Sequence, residues 1–194
     1  MELIKKSISA SLCILLGVFG ILSIENQYIS AILFTLGLLT ICKLKLNLFT
    51  GKCGFIFETK DWGNLFLILI VNVFSGYILG YILGMVTPQL KIIAEAKVLS
   101  WSFSADFFVR SILCGVIMYV AVKLYREGTM LGIFIGIPLF ILCGFQHCIA
   151  NVIYMGVFQS FNPALILSIV GNFTGSVMTW YLMSTDEKKI ETGR

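Results

Sequence analysis

Long apolar stretches separated by short polar segments form the main pattern of this chain of 194 residues. A helix needs about 20 predominantly apolar residues to cross the roughly 30 Å hydrocarbon layer of a bilayer. Stretches of about that length or more run over residues 7–24, 28–49, 62–86, 104–125, 129–158 and 163–183. The pattern therefore predicts one all-α integral membrane domain over residues 1–194, with six transmembrane spans.

Composition agrees with this interpretation. The chain is 58% hydrophobic and 12% charged, with a mean hydropathy of +0.96, whereas soluble domains are roughly 45–50% apolar and about 25% charged. Lys5 and Lys6 precede the first apolar stretch, which has no small-residue cleavage site, so we expect a first span rather than a signal peptide. The sequence contains no nucleotide-binding loop, which argues against ATP-driven transport by this chain alone. We expect neither an enzyme nor a nucleic-acid-binding protein.

The positive charges are distributed unevenly between the predicted loops. Alternating the loops across the membrane places a small group, Lys91 and Lys97, on one side. The other side receives Lys5, Lys6, Lys43, Lys45, Lys52, Lys60, Lys123, Arg126, Lys188, Lys189 and Arg194. Since lysine and arginine concentrate on the cytoplasmic side, this pattern predicts a multi-pass protein of the cytoplasmic membrane with both termini in the cytoplasm.

The second and fifth predicted spans contain residues that interrupt a helix. The second reaches "CKLKLNLFTGK" (42–52), where lysines and an asparagine arrive before the apolar stretch ends. The fifth is about thirty residues long and contains Gly144, Gln146, His147 and Asn151 as well as Pro138. Non-helical backbone at membrane depth is tolerated where protein or a water-filled cavity satisfies its polar groups. We therefore expect two broken helices and a binding site near the middle of the membrane.

A weak internal similarity relates the two halves of the chain. "VFSG" (73–76) in the third span is followed 99 positions later by "NFTG" (172–175) in the sixth. Duplication of a three-span unit would invert the second copy, because each copy crosses the membrane an odd number of times. We expect two inverted repeats, over residues 7–87 and 104–183.

Four motifs then identify a family that this chain resembles. "LGIFIGIPLFILCGFQHCIANVIYM" (131–155) resembles the fifth-helix signature of the formate/nitrite transporter family. "LFTG" (48–51) resembles the loop motif in its second helix, "VGNFTGS" (170–176) its sixth helix and "LCGVIMYVAVKL" (113–124) its fourth. The resemblance implies an aquaporin-like protomer with its own pore, assembled as a homopentamer. It implies passive or proton-linked transport of a small monovalent weak-acid anion, with formate, nitrite and hydrosulfide as candidates, and no cofactor.

The resemblance also assigns roles to individual positions. His147 matches the central pore histidine, Thr50 the loop threonine near it and Asn172 the asparagine that faces it. Lys97, or Lys91 as the alternative, matches a lysine that attracts anions to the outer mouth of the pore. Side chains implied to narrow the pore are Leu48, Phe49, Phe34, Leu38 and Phe140.

The chain departs from the family pattern at several of these positions. Gln146 stands where the family usually has glutamate, Cys148 replaces a serine, and Gly115 replaces an asparagine. In the third span Asn72 stands one position early, and Val73 occupies the place where the asparagine would be expected. These departures leave the identity of the anion and any proton relay open.

The chemistry of the central residues suggests a mechanism. An apolar channel disfavours the charged form of histidine, so we expect a neutral ring at His147. A small anion would lose its hydration among phenylalanine and leucine side chains, whereas the protonated acid is neutral and crosses more easily. Our hypothesis is that Lys97 concentrates the anion and that the acid form, or a proton shared with His147, crosses the constrictions. Thr50 and Asn172 would orient it.

Other interpretations of the same residues are open at this stage. The pore could pass water or neutral solutes. Cys143, His147 and Cys148 could instead belong to a membrane metal or redox site, although no second histidine exists in the chain. His147, Thr50 and Asn172 could serve packing alone, and Lys97 could be a solvated loop charge. Asp106 and Arg110, spaced i, i+4, are expected to form a structural pair, and the six cysteines to be free thiols.

Overall fold

Every regular element of the computed structural model is a helix within the described part of the chain, which comprises the backbone of residues 1–191 and the side chains of residues 1–184. Lys188, Lys189 and Arg194 fall outside the described side chains. The helices are α1 (Glu2–Ser23), α2 (Gln27–Lys43), α3 (Phe49–Lys52), a 3-10 turn (Cys53–Phe55), α4 (Ile56–Thr59), α5 (Trp62–Val86), α6 (Pro88–Leu99), α7 (Ala105–Arg126), α8 (Leu131–Leu142), α9 (Cys148–Phe158) and α10 (Ala164–Glu191).

Four of these helices are long and apolar enough to cross a membrane: α1, α5, α7 and the part of α10 over Ala164–Ser184. They match the first, third, fourth and sixth predicted stretches. The other two stretches are each divided between shorter helices. One becomes α2 and α3, and the other becomes α8 and α9. The prediction of an all-helical chain with several apolar helices of membrane-spanning length is therefore confirmed.

Both divided segments end their first helix in the same way. Lys45 and Gly144 adopt left-handed backbone conformations, with φ of 52° and 67°. The next N–H reaches back five residues to a carbonyl in each case, from Leu46 to Ile41 and from Phe145 to Phe140. This hydrogen bond closes the helix end in the manner of a Schellman motif. Since Lys45 has a side chain, its left-handed conformation is less favourable than that of Gly144.

Glycines allow the helices around the break after α8 to approach closely. Gly80 on α5 faces α9 so tightly that an added Cβ atom would meet the carbonyl oxygen of Ile153. Gly175 on α10 faces α7 in the same way, against the carbonyl oxygen of Ile112. Such small-residue contacts are typical of membrane helix pairs. Through these contacts α9 packs closely against α5, and α10 packs closely against α7.

The loop between the third and fourth predicted spans contains a helix that the apolar pattern did not predict. This helix, α6, begins with Pro88, whose missing N–H costs nothing at a helix start. It packs against α9. It therefore brings both of its lysines, Lys91 and Lys97, close to the C-terminal half of the second divided segment.

Candidate pore site

His147 and Thr50 come from the two divided segments and meet at the centre of the fold. The Nε2 atom of His147 lies 2.8 Å from the Oγ1 atom of Thr50. His147 is 2% exposed and Thr50 is 1% exposed. Thr50 stands in the first turn of α3, and His147 directly precedes α9. Thr50 and His147 are 97 positions apart in sequence, and the fold brings them into direct contact.

The contacts of His147 determine which ring nitrogen carries the proton. Its Nδ1 atom accepts a hydrogen bond from the N–H of Ala150 at 3.1 Å and so caps the start of α9. A nitrogen that accepts a hydrogen bond carries no proton, so in the neutral ring the proton is on Nε2. His147 therefore donates to Thr50 Oγ1. Protonation of Nδ1 would remove the cap and place two N–H groups against each other.

Asn172 fixes the backbone on the other side of His147. Its Oδ1 atom accepts from the N–H of Cys148 at 2.8 Å. Its Nδ2 atom donates to the carbonyl oxygens of Ser111 and Gln146, at 2.8 and 2.7 Å. Asn172 is fully buried, and these three backbone partners engage both ends of its amide. The structure therefore places it as a support of the backbone next to His147.

Asn72 makes the same three contacts at the other break. Its Oδ1 atom accepts from the N–H of Phe49 at 2.8 Å, and its Nδ2 atom donates to the carbonyl oxygens of Ser7 and Asn47, at 2.9 and 3.1 Å. The expectation that this asparagine is displaced in the third span is wrong. Asn72 corresponds to Asn172, and the "VFSG" and "NFTG" motifs are offset by one residue from the structural correspondence.

Aromatic rings lie on one side of the central pair. Phe34 on α2 and Phe140 on α8 contact each other edge to face, with ring centroids 5.8 Å apart. The Phe140 ring lies 6.0 Å from the His147 ring. Both phenylalanines are buried. They form an apolar ring contact next to His147, at positions where the sequence predicted a constriction.

A small cavity opens on the side of these rings, and we call it the histidine cavity. It has a volume of about 40 Å³. Its lining contains His147, Phe34, Phe140, Gln146, Asn151, Tyr154 and Lys97. Lys97 is exposed at the cavity, with its Nζ atom 4.9 Å from the centre of the Tyr154 ring. Lys91 instead donates to Oε1 of Gln159 at 2.9 Å, so of the two candidate lysines it is Lys97 that faces the cavity.

A larger cavity lies further along α2, and we call it the arginine cavity. It has a volume of about 460 Å³, and its lining includes Leu38, Leu48, Lys45, Lys52 and Arg126. None of its described lining residues is acidic. Leu38 follows Phe34 by one helical turn. The two cavities share none of their lining residues, and the histidine cavity holds one cationic side chain while the arginine cavity holds three.

Of two further predicted site residues, Phe49 lies outside both cavities and Gln146 lines the histidine cavity. Phe49 lines neither cavity and lies in an apolar groove with Trp62 and Phe173. Gln146 lines the histidine cavity, where its Nε2 atom donates to the Gly144 carbonyl at 3.1 Å. Its Oε1 atom accepts from Asn151 Nδ2 at 3.2 Å. Both amide ends of Gln146 therefore hold the break before α9.

Several residues of the site were not singled out from the sequence. The Cζ atom of Arg126 lies 3.5 Å from the centre of the Phe55 ring, and its Nη1 atom lies 3.6 Å from Oε2 of Glu58. These contacts connect the end of α7 to the segment after α3. Tyr154 lines the histidine cavity. Two features of the sequence could have indicated them: Arg126 is a basic residue at the end of a predicted span, and Tyr154 is a polar aromatic residue two helical turns after His147. Their contacts depend on segments distant in sequence.

The described cysteines form no disulfide. Cys148 is buried beside His147, whereas Cys143 is exposed. Among the described residues no group of three metal-binding side chains comes together, so the geometry provides no metal site there. Asp106 and Arg110 form the predicted pair at 2.9 Å, and Arg110 also donates to the Cys143 carbonyl at 3.2 Å.

Comparison with known proteins gives a likeness in structure. No protein-family model and no curated protein matches the chain. A solved pentameric formate channel with formate bound superposes with a TM-score of 0.71 at 15% identity, over 99% of this chain and 95% of that one. An ion channel of the FNT family superposes with a TM-score of 0.68 at 14% identity, over 92% and 83%. Over nearly its whole length, this chain therefore has the fold of these channels, as the four motifs predicted.

Proposed function

We propose that the chain forms a channel for small monovalent anions of weak acids, with formate, nitrite and hydrosulfide as its candidate substrates. The observation that carries this proposal is the central His147–Thr50 hydrogen bond between two cavities with cationic side chains. Positive charge on both sides of an apolar constriction favours the entry of anions and opposes that of cations. The match to a formate channel in fold supports this function over enzymatic chemistry.

The proposed channel crosses the membrane six times. The long helices α1, α5, α7 and α10 supply four crossings, and each divided segment, α2 with α3 and α8 with α9, supplies one. The matching roles of Asn72 and Asn172 support two inverted repeats, over residues 7–87 and 104–183. The excess of lysine and arginine on one side places both termini in the cytoplasm. We assign the protein to the cytoplasmic membrane.

A homopentamer is the proposed assembly, since the formate channel of the same fold is pentameric. Apolar grooves on the outer surface are consistent with contacts between protomers or with lipid. One of them contains Phe49, Trp62, Phe66 and Phe173. In this arrangement each protomer has its own pore through His147, and the exposed rings of Trp62 and Phe66 contribute to the outer contacts.

In the proposed mechanism His147 works as a neutral hydrogen-bond donor. Because its Nδ1 atom caps α9, a second proton on the ring would cost that cap. The substrate therefore crosses the phenylalanine contact as the uncharged acid, after Lys97 has concentrated the anion. His147 Nε2 and Thr50 Oγ1 supply hydrogen bonds in place of water. Of the two routes suggested by the sequence, this geometry favours the acid form over a proton held by His147.

Flux measurements in liposomes test this function. The purified protein is reconstituted, and internal pH is followed after addition of formate, nitrite or hydrosulfide, with glycerol uptake as the comparison for neutral solutes. We expect anion-linked uptake that becomes faster as the pH falls from about 8 to about 5, because a larger fraction of substrate is then protonated. Rapid glycerol flux with no uptake of the three anions would instead identify a neutral-solute pore.

A further inference from the structure

The histidine cavity contains a hydroxyl group that the protein leaves without a hydrogen-bond partner. Tyr154 follows His147 by two helical turns on α9 and is 3% exposed. Its ring lies 6.4 Å from the ring of Trp101. Within residues 1–184, no described group bonds to its hydroxyl. Among the described residues no buried side-chain oxygen lacks a hydrogen-bond partner, so this hydroxyl is accessible, and its partner is water or another occupant of the cavity.

The other polar side chains of the cavity already bond to protein. Asn151 Nδ2 donates to Gln146 Oε1, and Gln146 Nε2 donates to the Gly144 carbonyl. Both ring nitrogens of His147 have partners. Lys97 makes no ion pair or hydrogen bond with the described side chains. The cavity donors without a protein partner are therefore the Lys97 ammonium and the Tyr154 hydroxyl.

These two donors flank the same space. Both side chains line the histidine cavity, and the Lys97 Nζ atom lies over the face of the Tyr154 ring, 4.9 Å from its centre. The cavity volume of about 40 Å³ is room for about three water molecules, since each needs on the order of 10–15 Å³ of this kind of volume. An anion of a few atoms fits this space, and a larger organic anion does not.

From this geometry we infer that the Tyr154 hydroxyl donates a hydrogen bond to the anion that Lys97 attracts. Tyr154 is then a specificity-determining residue of the pore that favours oxygen-bearing anions such as formate and nitrite. Hydrosulfide gains less, because sulfur is a weak hydrogen-bond acceptor. This inference rests on the proposed function. Lys97 attracts anions in general, and Tyr154 adds a preference for anions that contain oxygen.

The Tyr154→Phe variant of the full chain tests the inference, because it removes the hydroxyl and keeps the ring beneath Lys97. Initial flux is measured in liposomes against the concentration of formate, nitrite or hydrosulfide. A hydrogen bond to a charged acceptor changes affinity about tenfold or more. We expect KM for formate and nitrite to rise about tenfold while KM for hydrosulfide changes less than about twofold. Tyr81→Phe, at an exposed position on α5, is the matched control and should behave as wild type.

The outcomes separate this inference from the proposed function. Wild-type protein that carries none of the three anions overturns the proposed function, and this inference with it. Wild-type flux with an unchanged formate preference in Tyr154→Phe overturns the inference alone. Equal losses for all three anions also overturn it, since they indicate a packing role. Tyr154→Leu, which also lacks the donor, provides a second variant and should show the same loss of preference for the oxygen-bearing anions.

Discussion

Two buried asparagines hold the starts of the short helices at the centre of this protein. Asn172 bonds to the N–H of Cys148 and to two carbonyl oxygens, and Asn72 does the same around the N–H of Phe49. These bonds replace the water that the ends of α3 and α9 would otherwise need. At the residue scale, the site therefore depends on side chains that position the backbone as much as on those that line the cavities.

Replacing Asn172 by alanine should destabilise the protein strongly. The variant leaves the N–H of Cys148 and the carbonyl of Gln146 without this partner, and each buried group left unsatisfied costs about 1–3 kcal/mol. We expect a loss of about 3 kcal/mol or more, seen as a lower midpoint of thermal unfolding in detergent. Asn72→Ala should have a similar effect. Asn64→Ala, which removes one exposed side-chain bond to Asp61, is the control and should change the midpoint little.

The hydroxyl of Thr50 should matter for flux. Thr50→Val keeps the shape of the side chain but removes the partner of His147 Nε2. A buried donor that loses its partner raises the free energy of the site by about 1–3 kcal/mol. We expect formate flux to fall about tenfold or more in Thr50→Val and to stay near the wild-type rate in Thr50→Ser. Equal rates in all three proteins would show that this hydrogen bond has no part in transport.

Lys97 should make anion capture sensitive to alkaline pH. The protein around its ammonium lowers the pKa of Lys97 below the usual lysine value through desolvation. Its charge is present below that pKa and is lost as the pH rises through it, earlier than for a free lysine at about 10.4. Arginine in its place stays charged. We expect the ratio of formate flux in Lys97→Arg to that in wild type to increase between about pH 7 and pH 10.

The protonated fraction of formate changes with pH, but it is the same for both proteins, so it does not affect this flux ratio. A ratio that stays constant over the range would contradict a role for the Lys97 charge in capture. The flux ratio of Lys91→Arg to wild type is the matched comparison and should not change with pH, since Lys91 is bonded to Gln159 away from the cavity.

At the scale of elements, close contacts between helix backbones set the position of the second divided segment. Gly80 and Gly84 on α5 leave room for the backbone of α9, and Gly156 on α9 leaves room for α5. Gly115 on α7 similarly leaves room for the carbonyl of Asn172 on α10. Gly115, a departure from the pattern of the family that the sequence resembles, therefore lies where the neighbouring backbone leaves no room for a side chain.

Adding a methyl group at one of these contacts should disrupt the fold. In Gly80→Ala the new Cβ atom would meet the carbonyl oxygen of Ile153, and the backbone cannot move aside as a flexible side chain could. We expect less folded protein after purification and a lower unfolding midpoint, measured by size-exclusion chromatography and thermal unfolding. Gly20→Ala on α1 has open space around the new atom and should behave as wild type or be slightly more stable.

The sequence predicted the helical elements better than it predicted how they meet. The two interruptions were visible because lysines, asparagine, glycine and proline occur inside apolar stretches. The helix α6 was not predicted, since a short surface helix leaves little apolar signal. The correspondence of Asn72 with Asn172 was missed because the repeated motif aligned their neighbours instead. Such contacts join residues about half a chain apart, and local patterns do not carry that information.

At the scale of the whole molecule, two separate cavities contain positive side chains, and the buried His147 lines the smaller of them. The histidine cavity is small and contains Lys97, whereas the arginine cavity is more than ten times larger and contains Lys45, Lys52 and Arg126. Phe34 and Phe140 contact each other in the wall of the histidine cavity, and His147 bonds to Thr50. This arrangement is the basis for proposing anion passage through a single protomer, whatever the number of protomers in the assembly.

The central claim is that small anions cross the protein beside His147, and one flux comparison tests it most directly. Wild-type protein and His147→Phe are reconstituted in liposomes, and internal pH is recorded after addition of formate, nitrite or hydrosulfide. His147→Asn is included because asparagine can still cap α9, which separates loss of the pore donor from loss of the helix start. We expect uptake of at least one anion by wild type only, faster in acid. Equal uptake by wild type and both variants, or by none of them, would contradict the account.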